Sequence, residues 1–435
     1  MLFVVVRSVL VILGVVLAWV SGAGLAGGQY LGAQIWRVYM QNATDQDIFQ
    51  DFERKFPVVE TVYQGRSVLD VLVRGSILES AKEHFASVKK EYEVLVDDVE
   101  ERIKNEDTPM TDDEISPKQG RGYNFTYSHY HPLSDIHDYM DLYLAASPST
   151  KVNNWILGRS FEKRDIKLLE IVNDLNAPYI WIDGGMHARE WLSPTTALWI
   201  ANLLLREKEK LPEAMKKLNY YILPVMNPDG YEYSRNEDRM WRKNRNLAAG
   251  NRSRRQEPSL HDCKLGVDLN RNFDIEWGRK EGASNNACES DYKGPYANSE
   301  LETQGVVGFL SDKISKVKAF LTFHTYGQYI LCPYAYARNA PLLENQLELI
   351  KIARTAAKNI IKMSGSNYHV GKLTDFLYAC TGTSIDWAAS QGIPYVFVME
   401  LSKDSFILPV ANIIPTAREG LELVKAVAEA IVKRK

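Results

Sequence analysis

Asp183-Gly-Gly-Met-His-Ala-Arg-Glu-Trp191 follows an apolar, strand-like run, Tyr179-Ile180-Trp181-Ile182, and precedes a helical pattern that opens at Ser193-Pro194. A strand that runs into two glycines and a turn brings polar side chains to the end of a sheet. From such a loop His187 and Glu190, three positions apart, can grip one metal ion. Alone, His-x-x-Glu is a weak signal, because this pair recurs by chance among surface polar residues. The rest of the chain decides it.

Downstream, strand-like and helical runs alternate, the pattern of an α/β domain. Strand candidates include Tyr179–Ile182, Tyr220–Met226, Ala319–Phe323 and Tyr395–Met399; helical patterns cover 194–207, 342–362 and 416–433. The strands are nearly continuous apolar runs, as expected when both sheet faces are covered. The expected fold is therefore α/β: a mixed, largely parallel sheet with helices on both faces, preceded by a small α+β domain. In that first domain, Ile35–Met40, Val58–Tyr63, Val68–Val73 and Tyr92–Val96 read as strands, and Ser76-Ile-Leu-Glu79 reads as a capping box before a helix.

Polar residues collect where the strands of the larger domain end. His324 follows Ala319-Phe-Leu-Thr-Phe323, and with His187 and Glu190 it makes a two-histidine, one-glutamate set that leaves a fourth position open, as in catalytic zinc sites. Met240-Trp-Arg-Lys-Asn-Arg245 and Gly266-Val-Asp-Leu-Asn-Arg-Asn-Phe273 hold arginines in non-helical settings, where the guanidinium fork suits a carboxylate. Tyr395-Val-Phe-Val-Met-Glu400 ends an apolar strand with a carboxylate; burying one is costly without a purpose, and serving as general base to an activated water is such a purpose.

The ends of the chain bear on compartment. Across 435 residues the net charge of −3 argues against a general nucleic-acid binder. Arg7, an apolar stretch to Val20 and the small residues Ser21–Gly28 make a secretory signal cleaved near residues 22–28; an uncleaved anchor is the competing reading, because the apolar stretch nearly spans a bilayer. Four cysteines allow up to two disulfides after export. Between Glu91 and Ser116 the many acidic residues read as a solvated helix and linker. After them, Ser116-Pro-Lys-Gln-Gly-Arg-Gly122 offers Lys118 and Arg121 to a trypsin-like protease, the layout of a zymogen.

Residues 122–435 resemble a zinc metallocarboxypeptidase of the pancreatic A/B type, and residues 28–121 resemble that family's activation propeptide, with 1–27 as the signal. The resemblance implies one zinc ion held by His187, Glu190 and His324, with Glu400 as general base and Arg245 stabilising the oxyanion. It implies that Asn270, Arg271 and Tyr378 hold the substrate's terminal carboxylate, that Arg189, Arg242, Thr325, Tyr326 and Phe406 form more distant subsites, and that Asp268 orients a ligand histidine. Cys263 and Cys288 match the shared disulfide; a bridge between Cys332 and Cys380 is open. Ile385 stands where B-type enzymes carry aspartate, and with Leu331, Leu373 and Val398 nearby it implies aliphatic or aromatic C-terminal residues. Thr383, Cys380, an extra stretch at Ala249–Gln256 and a short Glu400–Phe406 segment depart from the pattern, leaving an altered or basic preference as an alternative; an uncleaved signal would make it a membrane-tethered processing enzyme instead. The implied protein is a secreted monomeric zymogen whose partners are peptide C-termini and an activating trypsin-like protease, with no nucleic acid and no stable membrane association.

Overall fold

Alternation along the first strand explains how the two halves of the protein meet. The structure, a computed structural model, describes residues 28–107, 125–147, 150–249 and 263–434; the signal, Lys118, Arg121 and most of the 249–256 stretch lie outside them. The N-terminal module runs β1 (Gln34–Tyr39), α1 (Ala43–Lys55), β2 (Glu60–Gln64), β3 (Val68–Val73), α2 (Leu78–Ser87), β4 (Tyr92–Val96) and α3 (Val99–Lys104). Its strands pair antiparallel in the order β2-β3-β1-β4. Trp36 and Val38 pack against Phe49, Phe52 and Phe85 of the module's own helices, whereas Ile35, Val62 and Leu72 on the opposite face pack with Met240, Tyr326 and Phe406 of the larger domain. Period-two alternation thus gives the sheet one face for its own core and one for docking. Helix α1 starts at Asn42, whose side chain accepts from Asp45 N. The expected capping box does not form: Gly75–Ile77 is a 3₁₀ turn, and α2 begins without a side-chain cap.

Among the described residues the larger domain is built on eight strands, β5 (Lys151–Arg159), β6 (Asp165–Val172), β7 (Tyr179–Asp183), β8 (Asn219–Leu223), β9 (Val317–Thr325), β10 (Tyr329–Cys332), β11 (His369–Lys372) and β12 (Tyr395–Leu401). They lie in the order β11-β10-β12-β9-β7-β8-β6-β5. The central strands β12, β9, β7 and β8 are parallel, so their C-terminal ends share one edge. Helices α4 (Leu192–Arg206), α6 (Gln346–Ser364) and α8 (Ile413–Lys433) cover one face with Ile180, Ile182, Leu321 and Phe397. Helices α5 (Leu301–Ser311) and α7 (Ser384–Ser390) cover the other with Trp181, Phe320, Val396 and Val398. Each such apolar side chain, fully buried, contributes about 1.5–3 kcal/mol. Among the described residues no helix is long and apolar enough to cross a membrane.

Candidate active site

The same alternation selects the catalytic edge. On β12 the even positions Val396 and Val398 face the Ile385 side of the sheet, and so do Phe320 on β9 and Trp181 on β7. Continuing by twos puts Glu400, His324 and Asp183 on that side, and the register sets Glu400 directly beside His324. Past Asp183 the chain must turn under α4. A Cβ on Gly184 would meet the Ser193 carbonyl oxygen at 2.6 Å, and Gly185 has φ +61°; the two glycines permit the turn that delivers His187 and Glu190 to the edge.

There His187 Nδ1 lies 2.7 Å from Glu190 Oε1, and His324 Nδ1 lies 3.1 Å from both Glu190 Oε2 and His187 Nδ1. All three residues are buried. Asp268 Oδ1 sits 3.2 Å from His187 Nε2; accepting there puts the ring proton on Nε2 and turns the Nδ1 lone pair toward the cluster. Arg242 Nη1, 3.3 Å from His187 Nδ1, is a donor and fits the same tautomer. Two imidazole lone pairs and a carboxylate facing one point repel each other unless a cation lies among them. Zinc bonds of 2.0–2.1 Å in tetrahedral directions need donor separations of about 3.3 Å, close to those observed, so the donor set fits zinc and is a group able to hold a metal. Burial opposes ionisation of Glu190, yet His187 and His324 hold it below the usual carboxylate range. Burial pushes the Glu400 carboxyl up to about 8 against the pull of His324, and a cation beside it would draw it down again.

A cleft of about 460 Å³ opens from this cluster. It brings together His187, Glu190, Arg189, Arg242, Asn270, Arg271, Thr325, Tyr326, Tyr378, Ile385, Phe406 and Glu400. Asp268 caps the 3₁₀ turn Leu269–Arg271 by accepting from Asn270 N at 2.9 Å, which fixes Asn270 and Arg271. Arg271 donates to the Tyr378 hydroxyl. Asn270 Oδ1 accepts from Ser384 N at 3.0 Å, so its amide NH₂ is the group left for a ligand. Ile385, Leu373, Leu377 and Val398 form the apolar end, with Cys380 and Thr383 beside them. Leu331 is fully buried and does not reach the cleft. Asp386 is turned away, its carboxylate accepting from Ala335 N and Tyr336 N.

Two further expectations change and one open point closes. Arg245 is not in the cleft: its guanidinium stacks 3.6 Å from the Tyr233 ring centroid and lies 3.6 Å from Glu162. Arg242 occupies the place expected of it, tied to Asp268 at 2.9 and 3.1 Å and 3.9 Å from Glu190. Two arginines in one non-helical run look alike in sequence, and only the direction of the chain separates them. Cys263 and Cys288 are bonded, but Cys332 and Cys380 are free, buried, and belong to cores on opposite faces of the sheet. The second changed expectation concerns the acidic segment, which is not wholly solvated: Glu106 is buried against Arg239.

Nothing in the sequence pattern signals that β2 enters the cleft. Arg189 Nη2 donates to the Val62 carbonyl at 2.7 Å, and Tyr63 stacks on Tyr326 with centroids 4.8 Å apart. Tyr326 also donates to Asp70, which Arg37 grips at 2.8 and 2.9 Å.

The profile described as zinc carboxypeptidase matches residues 136–423. Mouse carboxypeptidase A4 is 34% identical over 422 residues, covering 94% of this chain and 96% of that protein. Bovine carboxypeptidase B2 is 33% identical over 439 residues, with 97% and 98% covered. The crystal structure of thrombin activatable fibrinolysis inhibitor matches with a TM-score of 0.79 at 30% identity, covering 93% of this chain and 99% of that one.

Proposed function

The chain belongs to the zinc carboxypeptidase family, and on that premise we propose that it is the secreted zymogen of an exopeptidase that removes aliphatic or aromatic residues from peptide C-termini. The observation that carries the reading is one cleft that opens from a metal-donor set and is lined by the buried carboxylate Glu400 and the guanidinium of Arg271. A zinc ion held by His187, Glu190 and His324 supplies a Lewis acid that acidifies water and polarises a carbonyl. Glu400 takes the proton of the attacking water and returns it to the leaving amine, acid and base in turn. Arg242, fixed by Asp268, donates to the oxygen where negative charge develops. Arg271, the Asn270 amide and the Tyr378 hydroxyl pair with the terminal carboxylate, so a blocked C-terminus leaves them without a partner.

The relatives carry both A and B names, so the side-chain preference rests on the pocket. Its end is apolar at Ile385, which is 2% exposed, and a substrate Lys or Arg there would be buried without a counter-charge. Asp386, next to Ile385 in the chain, already accepts backbone N–H groups, and burial pushes it up to about 7.

The zymogen reading is supported by β2 lying across the cleft with its Val62 carbonyl on Arg189. Removal of residues 28–121 after a cut at Arg121 clears it. Secretion is supported by the Cys263–Cys288 bond, which an oxidising compartment maintains. The test is to treat the precursor with trypsin and compare blocked dipeptides ending in Phe, Leu, Arg and Glu, with and without a chelator. Activity on Phe and Leu that needs both trypsin and metal is expected. A preference for Arg would sink the pocket reading, full activity before trypsin the zymogen, and indifference to chelation the metal.

A further inference from the structure

Asn42-Ala-Thr44 has the acceptor pattern for an N-linked sugar, and the chemistry of the cleft makes no use of it. It stands where β1 gives way to α1, and both Asn42 and Thr44 are exposed. The chain here is firmly held. Asn42 is extended, with φ −153° and ψ 178°, and its Oδ1 accepts from Asp45 N at 3.0 Å. The Asp45 carboxylate accepts in turn from Gln41 N at 2.7 Å and pairs with Lys90 at 2.6 Å. Capping therefore occupies only the carbonyl of the Asn42 amide; among the described residues nothing accepts from its Nδ2. An asparagine linked to a sugar keeps that carbonyl and one of its two N–H bonds, so the cap and the sugar are compatible on one side chain.

Resting on the export reading above, we propose that Asn42 carries an N-linked oligosaccharide, so that the precursor is a glycoprotein whose sugar at this site leaves with the N-terminal module. The transfer needs no oxidant or reductant. Asn42 Nδ2 bonds the anomeric carbon of a sugar chain carried on a polyprenyl pyrophosphate, the carbon–oxygen bond to the pyrophosphate breaks, and the amide gives up one proton. Met40 and Gln46, on either side of the acceptor, line the cleft, so the sugar is rooted beside its mouth. A cut at Arg121 takes it away with residues 28–121, and the processed enzyme keeps no sugar from this site.

The experiment expresses the full chain in cultured animal cells, beside a second sample in which a proven secretory signal replaces residues 1–27. Each purified precursor is treated with peptide N-glycanase in heavy-oxygen water, which turns a sugar-bearing asparagine into aspartate with one heavy oxygen. The peptide spanning Asn42 is then read by mass spectrometry, separately from those spanning the further acceptor patterns at Asn124 and Asn251, which lie outside the described residues. Conversion at Asn42 in most molecules of both samples is expected, together with a glycanase-dependent gel shift of the module that trypsin releases. Thr44→Val, which leaves Asn42 free to cap α1, should abolish both. Asn42 recovered unmodified in most molecules of the sample with the proven signal would overturn the proposal, and so would conversion that survives Thr44→Val. If only that sample is secreted and it is converted at Asn42, the export reading has failed and the site stands.

Discussion

Lys264→Met should loosen the N-terminal module without touching the cleft. Lys264 bridges the seam, 2.7 Å from Glu60 Oε2 on β2 and 2.9 Å from Asp238 Oδ2 on the larger domain. Glu60 keeps Arg74 at 2.5 Å, and Asp238 keeps the Tyr30 hydroxyl, so both acids stay hydrogen-bonded once the lysine is gone. Side-chain exposures of 31% for Lys264 and 26% for Glu60 allow partial rehydration, and the one pair that forms on docking, Lys264 with Glu60, is then worth about 0.5–1 kcal/mol. Repulsion between Glu60 and Asp238 once the lysine is gone raises the total to about 1.4 kcal/mol, or about tenfold in affinity. The assay is inhibition of the processed enzyme by the released module, with Lys264→Met expected to raise Ki by that factor. Burial pushes Glu60 and Asp238 up, but Lys264 outweighs it and holds both carboxyls below their usual range. Depressed values in the docked state mean that the grip is present above the ordinary carboxylate range and is lost as pH falls through the depressed ones. Inhibition by the unaltered module should therefore weaken below about pH 4. A Ki unchanged within twofold in the variant would refute the seam as a source of affinity.

Arg242→Ala should lower kcat about 100- to 1,000-fold, whereas Arg245→Ala should leave kcat within about threefold, since its charge is worth little at this distance; steady-state kinetics on one blocked dipeptide separates the two. Ile385→Asp should move preference toward C-terminal Arg, raising the Arg-to-Phe ratio of kcat/KM by at least about 100-fold. Glu302, buried with one oxygen unpartnered, has its carboxyl pushed up to about 8 by burial. A raised folded value contributes stability that is complete below the unfolded value of about 4.3 and is lost as pH rises toward 8. Glu302→Gln should thus gain about 1–3 kcal/mol in denaturant melts at pH 7 and nothing at pH 4.

The central strands were readable because a parallel sheet covered on both faces demands continuous apolar runs, and Tyr179–Ile182 and Tyr395–Met399 provide them. Edge strands were not: in β5, Asn153, Asn154 and exposed Trp155 carry neither pattern. Helix α1 hid behind Asn42, which serves as its N-cap. The metal donors, Glu400, Asn270, Arg271 and Tyr378 do gather at one cleft or its wall. What sequence left unresolved was direction, as with Arg242 against Arg245, and partnership across domains, as with Glu106 and Val62. Local patterns report a residue's own element; contacts between Glu106 and Arg239 depend on how two sheets dock.

Glu400→Gln, assayed for zinc content and turnover on one preparation, probes the central claim most directly. Neutral glutamine keeps the shape of the side chain and cannot accept the water's proton, while His187, Glu190 and His324 are untouched. About one zinc per chain with kcat lowered about 100- to 10,000-fold is the expected result; turnover within threefold of the parent enzyme at full zinc content would contradict it.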